Sequence, residues 1–197
     1  RSAQLALAVG RALGDSVLIM STSTGGTLAL YLASLHNEVK GLVNYAPNVR
    51  VADPNARLLT LPWGLYLGRA VLGSKYRSYE AQPPETEQYW TTTYRIEGLV
   101  ALQNLIQYTM LPATFSRITQ PALTAFYYRD STHKDEVVSL PAVRRMHRQL
   151  GTPDSLKRLV ELKTPETHVV PSGMKSKGLA EVRRVTSAFA EELLGLH

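Results

Sequence analysis

Apolar positions along this chain fall into two kinds of run. Short continuous runs at residues 17–20 (VLIM), 39–46 (VKGLVNYA) and 122–128 (ALTAFYY) predict strands covered on both faces. The alternating run at 158–163 (RLVELK) predicts a fourth strand at the sheet's far edge. Between them the apolar spacing turns helical. Leu5, Val9, Ala12 and Leu13 mark a helix that Gly14 stops, and residues 27–35 continue as a helix of small and aliphatic side chains. Ser139 caps a third helix, with Pro141 in its first turn and Gly151 at its end. Val182, Val185, Phe189 and Leu193 line one face of a closing helix. Strand alternating with helix implies a mainly parallel sheet with right-handed crossovers and helices on both faces, an α/β fold.

The alternation lapses between residues 50 and 120. This stretch holds Trp63, Tyr66, Tyr76, Tyr79, Tyr89, Trp90 and Tyr94, many leucines and a Pro83-Pro84 turn. It closes with an amphipathic helix through Leu99, Leu102, Leu105, Ile106 and Met110. Connections in compact domains usually span a handful of residues, so an insertion of this length reads as a helical cap or lid within one domain covering 1–197. Its aromatic rings either line a cleft or pack the insertion's own small core.

The first predicted strand runs straight into Ser21-Thr22-Ser23-Thr24-Gly25-Gly26-Thr27. That is a strand, a tight turn and the first turn of a helix, with Ser23 at the apex. A serine there has its hydroxyl raised above the sheet while the first helical amides point at the same spot. A phosphate-binding loop fits poorly, because no Lys follows the glycines and no G-x-G-x-x-G spacing is present. The stretch resembles the nucleophile elbow of the α/β-hydrolase superfamily, G-x-S-x-G, with Ser21 in place of the first glycine. The chain as a whole resembles the C-terminal part of such a hydrolase, beginning just before the elbow, and is nearest to serine esterases and lipases with a helical cap. The runs at 126–139 (FYYRDSTHKDEVVS) and 167–171 (THVVP) carry that likeness further along the chain.

The resemblance implies a Ser, acid, His order, with the acid in the loop after a later strand and the histidine after the last one. Of the five histidines, His36, His133, His147 and His197 lie elsewhere, and His168 occupies the required loop. Asp130 and Asp135 both lie in the acid loop. Asp135 is followed by Glu136-Val137-Val138, which resembles the family pattern of an aspartate, any residue and two β-branched residues, and it is the one adopted. Ser23 is then the nucleophile, His168 the base, Asp135 the group orienting it, and the backbone amide of Thr24 one oxyanion donor. The implied activity is cleavage of an acyl bond in a small-molecule substrate, a carboxylic ester with an apolar acyl or aryl group, as in a carboxylesterase or lipase. The rival is a non-catalytic hydrolase-fold binding protein whose cap grips an apolar ligand or partner.

Composition narrows this further. With 44% hydrophobic and 19% charged residues the chain is of ordinary globular type. It contains no cysteine, which excludes thiol catalysis, disulfides and cysteine-held metals and leaves cytoplasm and export both open. No residues cluster with ligand spacing, so neither metal nor organic cofactor is expected. The net charge of +6 is dispersed in small clusters with no nucleic-acid motif beside it, and no apolar run is long enough to span a bilayer. In the fold resembled, the elbow strand is central, so the N-terminal strands and a second oxyanion donor are expected on a missing N-terminal segment of the same protein.

Overall fold

The computed structural model describes residues 1–81 and 83–195, so His197 lies outside the described residues. Four parallel strands form the main sheet: β1 (Val17–Thr22), β2 (Val39–Tyr45), β5 (Ala122–Tyr127) and β6 (Lys157–Leu162), in the spatial order β1-β2-β5-β6. The helices connecting or flanking them are α1 (Ser2–Leu13), α2 (Thr24–Ala33), α6 (Leu140–Gln149) and α7 (Leu179–Phe189).

Period-two alternation sends side chains of the central strands to opposite faces. On one face Leu42, Ala122 and Phe126 meet Leu30 of α2 and Val143 and Met146 of α6. On the other, Val43, Tyr45, Leu123 and Tyr127 meet Val182 and Phe189 of α7. Every residue of β5 is buried, as its unbroken apolar run requires. Along β1 no residue is fully buried, and Met20 is 56% exposed. Among the described residues β1 pairs on one side only, with β2.

The insertion is mainly helical, with a short hairpin added. It comprises a 3-10 turn (Pro54–Thr60), α3 (Gly64–Leu72), the antiparallel pair β3 (Tyr76–Ser78) and β4 (Thr93–Arg95), a second 3-10 turn (Pro84–Gln88), α4 (Ile96–Thr109) and α5 (Pro112–Phe115). Glu97 at the start of α4 joins the cap's parts by accepting from Arg69 at 2.7 Å and from Arg95 at 2.6 Å. Those two arginines hold its carboxyl down at about 2. The rings are largely outside, with Trp63, Tyr66, Tyr76 and Tyr89 all at least half exposed. Aliphatic side chains instead line a cavity in the cap, among them Leu59, Leu67, Leu99 and Leu102, partly buried, beside the fully buried Ile96.

Candidate active site

Ser23 stands between the last residue of β1 and the first of α2, with φ 55° and ψ −120°. Those are the dihedrals of the first central residue of a type II′ turn, a region nearly reserved for glycine. A non-glycine residue there costs about 1–3 kcal/mol, so the surroundings must hold it. They do so through the backbone. Ser23 N donates to Tyr45 O at 3.0 Å, and Ser23 O accepts from Gly26 N and from Asn48 N, each at 2.9 Å. Thr27 Oγ1 donates to Asn48 O at 2.6 Å, tying the helix start to the turn after β2. Ser21 Oγ donates to Asn44 Oδ1 on β2 at 2.7 Å, a bond that glycine at position 21 could not make.

The hydroxyl of Ser23 makes no capping bond to its own helix. Thr24 N is the first amide of α2 and has no acceptor within the helix. A Cβ at Gly26 would fall 2.6 Å from Pro47 Cβ and 2.8 Å from Pro47 Cα, so only glycine lets the elbow helix approach the turn after β2.

The acid loop leaves β5 and folds back on it, with Asp135 N donating to Tyr127 O at 3.0 Å. The side chain of Asp135 has no exposed surface. Its Oδ1 accepts from Val137 N at 2.8 Å and Val138 N at 3.3 Å, while Oδ2 lies 2.6 Å from His168 Nδ1. With the carboxylate ionised and the ring neutral, this contact requires the ring proton on Nδ1 and leaves the lone pair on Nε2. Nε2 is enclosed and has no hydrogen-bond partner among the described residues. Asp130 is occupied otherwise: its carboxylate accepts from Thr132 N, Thr132 Oγ1 and His133 N and lies 2.9 Å from His133 Nδ1. Those bonds push its pKa well below the usual carboxylate range. His147 is buried in α6, its Nδ1 3.0 Å from Thr124 Oγ1.

Residues not singled out from the sequence also shape the loop that carries His168. Glu166 has φ 52°, and its carboxylate accepts from Lys177 Nζ at 2.7 Å and from Arg129 Nη1 at 3.4 Å. Lys175 Nζ sits 5.1 Å from the ring centroid of Trp90, a cation–π contact that ties the cap to this loop. A lone Glu two residues before a histidine carries no spacing signal, which is why it escapes sequence reasoning. Among the described residues no three His, Asp or Glu side chains cluster to hold a metal, and no helix is long and apolar enough to cross a membrane.

Two cavities adjoin these elements. One, of about 550 Å³, lies in the cap and is lined by Leu58, Leu59, Leu67, Leu99 and Leu102, with Glu136 and Val137 of the acid loop in its wall. The other, of about 460 Å³, runs beside β1 and includes Ser21, Thr22 and Gly25.

No family model matches the chain, and no curated protein matches it by sequence. Solved structures do match it. A monoacylglycerol lipase of Paleococcus ferrophilus is 16% identical, with a TM-score of 0.67 over 98% of this chain and 74% of its own. A structure described with LipS and LipT, two metagenome-derived lipolytic enzymes, is 15% identical, with a TM-score of 0.65 over 94% of this chain and 70% of its own. Est1E from Butyrivibrio proteoclasticus is 15% identical, with a TM-score of 0.56 over 92% of this chain and 62% of its own. The chain has the α/β-hydrolase fold, its parallel sheet flanked by helices and interrupted by a cap.

Proposed function

We propose that the protein is a serine hydrolase that cleaves an acyl bond, with carboxylic esters bearing an apolar acyl or aryl group as its substrates. The observation that carries this is the histidine whose Nδ1 lies 2.6 Å from a buried carboxylate, in a chain that also holds a serine in a strained strand-to-helix turn. No hydrogen bond joins Ser23 to His168 among the described residues. Two of the structures that share the fold are named for lipolytic enzymes and a monoacylglycerol lipase, which points the same way.

On this reading Ser23 Oγ attacks the carbonyl carbon as His168 Nε2 takes its proton. The oxyanion that forms accepts from Thr24 N–H, at the positive end of α2. His168 then returns the proton to the leaving alkoxide, and an acyl group remains on Ser23. Water attacks that ester, Nε2 again accepting a proton, and the acid and free serine result. Asp135 stays ionised throughout, holding the ring and stabilising the imidazolium. The cap cavity has aliphatic walls and reaches the acid loop at Glu136 and Val137 without being lined by Ser23 or His168. An apolar substituent extending into it would gain about 25 cal/mol per Å² buried, which a charged sugar or phosphate would not. The open side of β1 faces the elbow's flank, and a strand of the same protein paired there would cover Met20 and bring a second oxyanion donor.

Ser23→Ala in the full-length protein tests the assignment. Hydrolysis of a short-chain aryl ester should fall on the order of a millionfold, with the melting curve nearly unchanged. Retained turnover would place the reaction elsewhere.

A further inference from the structure

A third cavity, of about 500 Å³, lies between the start of the cap, α4, α5 and α6, and neither Ser23, Asp135 nor His168 lines it. Its apolar part is made by Val49, Ile106, Met110, Phe115 and Ala142. Three arginines join that lining, Arg50 from the segment after β2, Arg57 from the first 3-10 turn and Arg145 from α6. Elsewhere Arg11, Arg69, Arg95, Arg129 and Arg144 each have a carboxylate partner, whereas Arg1, Arg77, Arg117, Arg148, Arg158, Arg183 and Arg184 have none among the described residues. The guanidinium groups of Arg50, Arg57 and Arg145 likewise have none among the described residues, so it is their shared cavity that sets these three apart. The cavity's one carboxylate, Asp53, accepts from Asn55 N at 2.8 Å to cap its own turn. Gln103, 8% exposed, also faces this space, and its side chain bonds to no described residue.

Three like charges gathered around one partly enclosed space repel one another, and the repulsion is relieved when an anion enters. Guanidinium groups match a carboxylate with paired donors, so the charge is answered together with its hydrogen-bonding geometry. The apolar wall asks for something a bare inorganic ion does not offer. We propose that this cavity is a second ligand site, which binds an organic carboxylate carrying an apolar body. The carboxylate lies among Arg50, Arg57 and Arg145, the Gln103 amide adds a neutral donor, and the apolar body rests on Phe115 and Ile106.

Titration calorimetry on the full chain carrying Ser23→Ala, with phenylbutyrate and its neutral amide as probes, tests this apart from catalysis. The carboxylate should bind at least about tenfold more tightly than the amide, as expected for charge-assisted bonds. The double variant Arg57→Gln/Arg145→Gln changes two exposed side chains and should fold normally by circular dichroism. It should lose about tenfold for the carboxylate and little for the amide. Equal binding of acid and amide, unchanged binding in the double variant, or no binding of either probe would each overturn the proposal.

Discussion

Asp130 and Asp135 are five positions apart on one loop, yet their surroundings give them different work. Asp130 folds its own turn around Thr132 and His133 in the open, whereas Asp135 is buried and spends one oxygen on loop amides and the other on His168. Asp135→Asn should therefore cut ester hydrolysis by about ten thousandfold through the wrong imidazole tautomer, and Asp130→Asn should change it little. Steady-state kinetics on both variants checks this, and the reverse order would move the acid to Asp130. His147 supplies a prediction about stability. Burial first, and the nearby Lys157 charge second, lower its pKa from 6.5 to about 4. Between those values the unfolded state binds the proton and the folded state does not, so stability rises with pH across that window and is complete above it. Urea unfolding from pH 4 to 7 should show about 3 kcal/mol of acid destabilisation from this group. His147→Gln should remove most of that slope, and an unchanged slope would contradict it.

The elbow is the element most legible in sequence, because strand, turn and helix occupy consecutive residues and small side chains announce the crowding. What the motif's spelling does not tell is which glycine bears that crowding. A Cβ at Gly25 would come no nearer than 3.7 Å to Ser21 Cβ, whereas at Gly26 it would overlap Pro47. Gly26→Ala should then destabilise the fold by about 1–3 kcal/mol and Gly25→Ala by much less, as read from urea midpoints. Equal effects would mean that α2 shifts freely against the turn after β2. The four sheet strands are legible as well, β2 and β5 from apolar runs that report burial on both faces and β6 from its alternation, whereas the apolar run of β1 locates a strand that is nowhere fully buried. The cap was harder. Its length and helical content could be read, but whether its rings face in or out depends on contacts between α3, α4 and the hairpin that no local period encodes. The rings are largely exposed, and leucines line the cap's cavity. The pairing of Asp135 with His168 joins residues 33 apart, and only the order of elements in the fold brought both forward.

Across the whole molecule, the sheet is covered by helices on both faces, and among the described residues each edge strand, β1 beside the elbow and β6 at the far end, pairs on one side only. If a strand of the same protein completes the β1 edge and the oxyanion site, the 197-residue chain by itself should acylate far more slowly than the full-length protein. Equal rates would remove the need for it. The central claim, that Ser23 is a nucleophile activated by His168 and Asp135, is tested most directly by treating the full-length protein with a fluorophosphonate and mapping the adduct by peptide mass spectrometry. The account expects one adduct, on the peptide containing Ser23, absent in Ser23→Ala and greatly slowed in His168→Ala. An adduct on another residue, or a folded protein that takes up no label, would contradict it.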